Sequence, residues 1–514
     1  MANAKSKQSS KTPAMTKCPH CWHAFNPKQA LFIAAHPELI GDQVLGEHEY
    51  KRLKPEEVRI LSNQRCIDPK GFDVTERACP SCRLQIPWAM IAKQPLFVSM
   101  AGAPSSGKTY FITALIHALR YQLPRDFNLL FEYASSHGIK AVDELIERLY
   151  GGDPNEPVYL DKTQEAGGRV HNVIQLGGVA VELPKPFLFS IRPTPDNIDY
   201  KLDRLHQNFA FYDCSGEHFQ YLRHRNAAVR SFGHFAHSDA LIFTYDPLQD
   251  GPALDRLSKL SADPQVNAQK HVSQQEKVLE AVVQQFRLLR YMAPEAKINV
   301  PLLICVQKYD VWLQLLPKWA RIDASSVSRF PEKSTSALDV QEINRNSLHI
   351  RQFLRDISPM FVAQAESNFS KIRYFAVSSL GVSPEPVEVA NEYEEKTTKL
   401  CVRPRDLQAF RVTDPILWLL LHRKLIRAAL SRKSDPNCKE ARVVEEEEHS
   451  VRVVLPDSNQ QLTVDSDYFG IQIVDPFCGS KVHIPDRKPK PKGLVDKVTG
   501  WFRSSFGKPK SQKK

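Results

Sequence analysis

The sequence predicts an α/β fold with a mostly parallel sheet and helices on both of its faces. Short apolar stretches of strand length alternate with amphipathic stretches of helical length between residues 94 and 432. Several of the apolar stretches end in polar or glycine-containing loops, which places candidate binding residues at one edge of the sheet. We also expect an N-terminal zinc ribbon and a small C-terminal β appendage with a basic tail.

The composition of the 514 residues is that of a globular protein, with 42% hydrophobic and 25% charged residues. No apolar run is long enough to span a membrane, and residues 1–16 lack the apolar centre of a secretory signal. We therefore expect a cytoplasmic protein in which residues 1–16 are disordered. The net charge of +11 is concentrated in residues 486–514, so no nucleic-acid surface is expected on the body.

Two CPxC pairs lie in the N-terminal part of the chain, Cys18 with Cys21 and Cys79 with Cys82. Each pair can form a tight turn that points two thiolates at one ion, and four thiolates suit a structural Zn2+. We predict one shared zinc site in a ribbon region, residues 17–93, that carries a long insertion. A redox role is the alternative, although neither pair begins a helix in a βαβ pattern.

The segment GAPSSGKT fits the phosphate-binding pattern G-x-x-x-x-G-K-[ST]. An apolar run precedes it and apolar residues at helical spacing follow it, which is the strand–loop–helix context that this chemistry requires. Lys108 would reach the phosphates, and the Thr109 hydroxyl would bind Mg2+. The predicted nucleotide-binding residues of this segment are Gly102, Ser105, Ser106, Gly107, Lys108, Thr109 and Tyr110.

The apolar stretch from Asn208 ends in the sequence Asp213-Cys-Ser-Gly216-Glu217. An aspartate at a strand end beside a phosphate loop can hold Mg2+ through water, and a glycine there can offer its N–H to a terminal phosphate. We therefore assign Asp213 to the metal and Gly216 to the phosphate. Thr163, in a polar loop, is the candidate for a threonine that closes on Mg2+.

Two further predicted strands also end in polar loops. Ile298–Val306 ends in Gln307-Lys308-Tyr309-Asp310, and Ile372–Val377 ends in Ser378-Ser379-Leu380-Gly381. Together with the phosphate loop they resemble the motifs of the P-loop GTPases of the TRAFAC class. The cysteine pairs and a late DPILWLLL segment resemble, more narrowly, the bacterial double-GTPase type 2 domain proteins.

The resemblance implies that residues 94–432 form a GTPase domain in which Asp310 reads the guanine base. It also places Lys308 along the ring and the backbone of Ser378, Ser379 and Leu380 at the base. Gln307 stands where the family has Asn or Thr, so the sequence departs from the pattern at this position.

The implied function is a GTP-binding switch that hydrolyses GTP with Mg2+ and regulates or assembles a bacterial multi-protein conflict-type system. Its catalytic residues would be Lys108, Thr163 and Glu217, the last replacing the usual glutamine, which predicts slow hydrolysis without a partner. An effector protein, or another GTPase, would be that partner. The alternatives are a nucleotide-bound scaffold without hydrolysis and a P-loop ATPase.

The remaining elements complete the predicted domain plan. We expect strands at Val173–Leu183 and Pro186–Ile191, and helices at residues 143–152, Gln269–Met292 and Asp414–Ser431. Residues 433–485 would form the β-rich appendage. In residues 486–514, apolar and aromatic residues lie on one helical side between basic residues, which suits an anionic membrane surface or a groove on a partner. A disordered solubilising tail is the alternative.

Overall fold

The computed structural model describes residues 15–486 apart from 63–64, 135–138, 161–170, 177–178, 214–232, 269–272, 323–324, 329–334, 391–395, 430–437 and 447–449. The chain divides into two compact units, Met1–Leu430 and Ser431–Lys514. The predicted site residues Thr163, Gly216 and Glu217 and almost all of the basic tail lie outside the described residues. No helix within the described residues has the length and apolar composition needed to cross a membrane.

The first unit is built on a seven-stranded sheet, counted over the described residues. Its strands are β1 Leu96–Gly102, β2 Leu129–Tyr133, β3 Phe187–Pro193, β4 Gln207–Asp213, β5 Ala240–Tyr245, β6 Leu302–Val306 and β7 Ile372–Ala376. Their spatial order is β2-β3-β4-β1-β5-β6-β7. β3 is antiparallel to both of its neighbours, whereas β4, β1, β5, β6 and β7 are parallel to one another. The predicted α/β class is confirmed, and the sheet is mixed because of β3.

Helices cover both faces of the sheet because the buried strands are apolar on both sides. In β5, Leu241 and Phe243 belong to one core, whereas Ala240 and Ile242 belong to the other. The longer helices are α1 Lys108–Phe127, α2 Ile139–Ile146, α3 Gln275–Arg290, α4 Val340–Ile357, α5 Pro359–Asn368 and α6 Asp414–His422. Residues of α3 and α5 pack into the first core, and residues of α1 and α6 pack into the second.

The cysteine region packs against residues of β1, β3 and β4. Cys18, Cys79 and Cys82 share a buried cluster with Ala210 and Tyr212 of β4. This region also contains a four-stranded sheet, and a separate hairpin packs into the same cluster. The strands are Leu31–Ile33, Arg52–Leu53, Arg77–Ala78 and Gln85–Ile86 in the sheet, and His171–Leu176 and Val179–Pro184 in the hairpin.

Shorter elements connect these parts. The other helices in the described residues of the first unit are Trp88–Ala92, Gly233–His237, Gly251–Ser258, Pro264–Ala268 and Tyr309–Trp312. Its other paired strands are Thr16–Lys17 with Ala24–Phe25, Ile40–Asp42 with Gly46–Tyr50, Arg59–Ile60 with Cys66–Ile67, Val327–Ser328 with Ala337–Leu338, and Glu385–Ala390 with Lys396–Cys401.

Two predicted elements are wrong in extent. The predicted strand Val173–Leu183 is two antiparallel strands, and the pair Gly177-Gly178 stands between them in the sequence. The predicted helix Asp414–Ser431 ends at His422, and Lys424 then adopts a φ of 60°, which cannot continue a right-handed helix. Strand β2 was not predicted, because it is short, lies at the edge of the sheet and carries the charged Glu132.

Two smaller expectations also change. The predicted helix at residues 143–152 is α2 followed by one wider π turn over Glu147–Gly151. The predicted helix Gln269–Met292 is α3, Gln275–Arg290, within the described residues. Both differences lie at element ends, which local propensity defines poorly.

The described residues of the second unit form two small three-stranded sheets. One is formed by Arg442–Glu446, Ser450–Val454 and Gln461–Asp465, and the other by Lys439–Glu440, Gln472–Val474 and Lys481–His483. Alternate residues of the middle strands, such as Val451 and Val453, are buried, which is the period expected of a half-buried strand. All six strands lie within residues 433–485, the segment in which the sequence predicts a β-rich appendage.

Candidate functional site

The glycine loop between β1 and α1 has the backbone geometry that the sequence requires of it. Ser105 and Gly107 have φ values of 59° and 84°, and α1 begins at Lys108 directly after them. The Lys108 ammonium donates to the carbonyls of Gly102 at 3.1 Å and Ala103 at 2.7 Å. These bonds hold the charge inside the loop, at the N-terminus of a 20-residue helix where an anion is favoured.

Two loop residues serve packing, because β5 runs close to the loop. A Cβ atom on Gly102 would lie 2.1 Å from Thr244 Oγ1 and 2.7 Å from the Thr244 carbonyl oxygen. The hydroxyls of Ser106 and Thr244 are 2.9 Å apart, and Ser106 is fully buried. Glycine is therefore required at position 102, and the Ser106 side chain fixes the loop to the sheet.

A cavity of about 180 Å3 opens beside this loop and brings together the loops that follow β1, β6 and β7. It also includes side chains that sequence reasoning did not single out, from Gln265 and from the segment around the hairpin after β7. Its lining is Ser105, Gly107, Tyr110, Gln265, Gln307, Lys308, Asp310, Ser378, Ser379, Leu380, Pro384, Leu400 and Val402. Of the predicted nucleotide-binding residues that the structure describes, five are not part of this lining: Gly102, Ser106, Lys108, Thr109 and Asp213.

Two buried polar atoms of the cavity lining have no hydrogen-bond partner among the described residues. They are Gln307 Nε2, a donor, and Asp310 Oδ1, an acceptor. Gln307 Oε1 is occupied, because Ser379 Oγ donates to it at 3.2 Å. Burial raises the pKa of Asp310, and a hydrogen bond from the Ser378 side chain opposes this rise. Buried polar groups are normally paired, so this donor and this acceptor fit a polar ligand.

The loop after β5 connects the glycine loop to the loop after β6, a role that the sequence did not reveal. Lys308, with a φ of 59°, donates to the fully buried carboxylate of Asp246 at 2.8 Å. Gln249 Nε2 donates to the Pro104 carbonyl in the glycine loop at 3.0 Å. The Asp246-Pro247 pair at the end of a buried strand was the signal available in the sequence.

The loop after β7 is fixed by the segment Gln408–Phe410. The backbone groups of Ser378 and Phe410 exchange two hydrogen bonds, of 3.0 Å and 2.8 Å. Gly381 has a φ of 69°, and a Cβ atom there would lie 1.8 Å from the Gln408 carbonyl oxygen. The Ser378 N–H is therefore engaged within the protein, so of the predicted base contacts only the N–H groups after it can serve a ligand.

Asp213 lies at the end of β4, where its backbone pairs with Met100 of β1. Its Oδ1 is buried and has no hydrogen-bond partner in the described parts of the chain. Burial raises the pKa of Asp213, and the nearby Lys108 ammonium acts in the opposite direction. A carboxylate held in this way is suited to a cation.

The four predicted cysteines form one cluster. The Sγ atoms of Cys18 and Cys82 are 3.7 Å apart, those of Cys21 and Cys79 are 3.6 Å apart, and all four lie within 4.8 Å of one another. Tetrahedral thiolates at about 2.3 Å from Zn2+ would be about 3.8 Å apart. The cluster can therefore hold a structural metal ion, and Cys66 is not part of it.

The chain is similar to a protein of Mycolicibacterium smegmatis that bears the name "Putative ESX-1 scaffolding and assembly protein SaeC". The two sequences are 22% identical over 431 residues, which cover 79% of this chain and 98% of the relative. No protein-family model matches this chain.

These comparisons overturn two predictions. The resemblance to the TRAFAC GTPases and to the bacterial double-GTPase type 2 domain proteins is wrong, as is the main functional prediction of a GTP-hydrolysing switch. The relative is named for scaffolding and assembly, which favours the scaffold alternative, and no GTPase family model matches. The loop patterns misled because a few residues at a strand end specify turn geometry, which proteins of different function share.

Proposed function

We propose that the chain is a scaffold that brings other proteins together in a bacterial assembly, and that its α/β unit holds a nucleotide as a structural ligand. The single observation that supports the scaffold role is the extent of the similarity, which covers 98% of a relative named for scaffolding and assembly. The alignment covers 79% of this chain, so it extends far beyond any one motif.

The unpaired donor and acceptor in the cavity support the nucleotide part of the proposal. Leaving a buried polar group unpaired costs about 1–3 kcal/mol, so a ligand that pairs with Gln307 Nε2 and Asp310 Oδ1 would recover this cost. A purine base presents donors and acceptors along one edge. Guanine suits Asp310 best, because its adjacent N–H groups can both donate to one carboxylate, and adenine lacks this pair.

The glycine loop would hold the phosphates of that nucleotide. Lys108 would turn from the loop carbonyls to a phosphate, and Mg2+ would lie between Thr109 and Asp213. At a separate site, the four clustered cysteines would hold Zn2+ as a structural ion. Neither role requires the protein to hydrolyse the nucleotide.

The partners would be other proteins of the assembly, including the effector expected from the sequence. Residues 486–514 are our candidate for contact with an anionic membrane surface, because apolar and basic residues alternate there at helical spacing.

Mass spectrometry of the nucleotide and metal released from gently purified protein tests the proposal. We expect about one guanine nucleotide and one zinc ion per chain, with no conversion of the nucleotide over hours at room temperature. Asp310→Ala should lose the nucleotide and keep the zinc. Asp255→Ala is the matched control, because Asp255 is an exposed carboxylate paired with Lys259 on a surface helix.

Three results would count against this proposal. Rapid turnover would contradict a structural ligand, and retention of an adenine nucleotide would contradict the role of Asp310. If the protein neither retains a nucleotide nor gains thermal stability from added nucleotides, the nucleotide part of the proposal is wrong.

A further inference from the structure

The two cysteine turns have the same backbone design. The N–H groups of Trp22 and Arg83 close the turns by donating to the carbonyls of Cys18 and Cys79, at 3.0 and 3.1 Å. Both residues then adopt positive φ values, 57° and 61°. Each of these two residues directly follows a cysteine of the cluster. A metal ion bound by the cysteines would therefore fix the position of the Cα atom of each residue.

The two side chains reach different parts of the protein. Arg83 makes paired hydrogen bonds to the buried carboxylate of Asp42 in the insertion. Trp22 instead reaches the α/β sheet, where its Nε1 donates to the Tyr212 hydroxyl at 3.2 Å and its ring stacks on His237 at 5.5 Å. A Cβ atom on Gly233 would lie 2.4 Å from the Trp22 ring, so glycine leaves the space for it.

Two hydrogen bonds connect the Tyr212 hydroxyl to the first cysteine turn. The hydroxyl accepts from Trp22 and donates to the Pro19 carbonyl at 2.6 Å. The side chain is 1% exposed, and burial raises the pKa of its hydroxyl well above the ordinary value. Tyr212 directly precedes Asp213 in β4, so its position sets where that strand ends.

The same contacts continue into the strand that leads to the glycine loop. The Tyr212 ring stacks on His234 with centroids 5.1 Å apart and planes inclined by 12°. His234 Nδ1 is 2.7 Å from Ser99 Oγ, and Ser99 lies in β1 opposite Tyr212 in the sheet register. These residues are all buried, and they join the cysteine turn to both strands that carry the candidate phosphate site.

We propose that the four-cysteine metal site positions the phosphate end of the nucleotide pocket through Trp22 and Tyr212, which act as positioning residues. Metal binding fixes the turn Cys18–Cys21, the turn fixes Tyr212, and Tyr212 fixes β4 at Asp213. The effect on nucleotide affinity rests on the proposed function, whereas the effect of the metal on β4 does not. By linkage, the bound nucleotide would raise the metal affinity by the same factor as the metal raises the nucleotide affinity.

The test compares Tyr212→Phe with Tyr374→Phe by hydrogen exchange and by metal content. Tyr374 is a matched control, because it is also a buried tyrosine of the same sheet and its hydroxyl bonds to Glu366, away from the cysteines. We expect Tyr212→Phe to retain its zinc, while amide exchange in Gln207–Asp213 and the Kd for added guanosine diphosphate each rise about fivefold to tenfold. Tyr374→Phe should leave both unchanged.

Removal of zinc from the wild-type protein by chelation provides the second arm. Exchange should rise in Gln207–Asp213 as well as around the cysteines, and should stay unchanged in Leu302–Val306. If chelation raises amide exchange only in residues 15–93, or equally in all strands, the proposal is overturned. It is also overturned if Tyr374→Phe has as large an effect as Tyr212→Phe. If guanosine diphosphate does not bind even to the wild type, the proposed function fails while the exchange data still decide the link between metal and β4.

Discussion

At the scale of single residues, the site is built from polar groups that the fold leaves unsatisfied. Asp213 Oδ1, Asp310 Oδ1 and Gln307 Nε2 are buried without a hydrogen-bond partner among the described residues. Burial raises the pKa of both carboxyl groups, so the folded chain resists their ionisation. Such groups weaken the ligand-free protein and are retained where a ligand or a cation pairs with them.

This gives a prediction for Asp213→Asn with a defined dependence on pH. Because the folded-state pKa of Asp213 lies above the unfolded value, the folded chain binds more protons between the two values. The free energy of unfolding therefore falls as the pH rises through this interval, and the full loss remains at neutral pH. Asp213→Asn should be more stable than the wild type at pH 7 when no ligand is bound, and the difference should vanish below about pH 3.9.

Urea unfolding at several pH values measures this difference, with Asp255→Asn as the exposed control. A variant that is less stable than the wild type at neutral pH would show that the Asp213 carboxylate is already satisfied in the folded chain.

At the scale of elements, the site depends on how closely a loop approaches a neighbouring strand. Gly102 has no room for a side chain, because the backbone and the hydroxyl of Thr244 in β5 lie against it. Gly251, by contrast, has no atom within 4 Å of the position of an added Cβ atom. We expect Gly102→Ala to lower the free energy of unfolding by about 1–3 kcal/mol through overpacking.

The matched variant Gly251→Ala should change the free energy of unfolding by less than about 0.5 kcal/mol, because it adds a methyl group in open space on a helix. Chemical denaturation of both variants gives the comparison. Equal losses at the two positions would mean that helix or backbone effects, and not the contact with Thr244, determine the cost.

The sequence allowed good predictions at this scale where the signal is local. The strands β1, β4, β5, β6 and β7 could be recognised as apolar runs, and the glycine loop by its residue pattern, in which Gly107 adopts a positive φ. Strand β3 is predicted at Pro186–Ile191, but its antiparallel orientation and the strand β2 are not, because pairing at a sheet edge depends on partners far away in the chain. The role of Asp246 was missed for the same reason, since its partner Lys308 is distant in sequence.

At the scale of the whole molecule, the cysteine region is part of the sheet's packing. The sequence predicted which cysteines would meet, because CPxC turns are local. It did not predict that Trp22 and Tyr212 would join this region to β4, since nothing in either segment indicates the contact. The functional prediction failed at this scale, because loop patterns report on turn geometry, whereas the similarity over 79% of the chain is to a protein named for scaffolding.

The proposed scaffold role is tested by the mass of the protein's native assembly. The protein would be tagged at its own locus, cross-linked in cells that make it naturally, and analysed by native mass determination. We predict an assembly several times heavier than the 58.5 kDa chain, with other proteins in fixed stoichiometry and with a smaller mass for Asp310→Ala. A protein that is found as a free 58.5 kDa chain, with or without its nucleotide, would contradict the scaffold role.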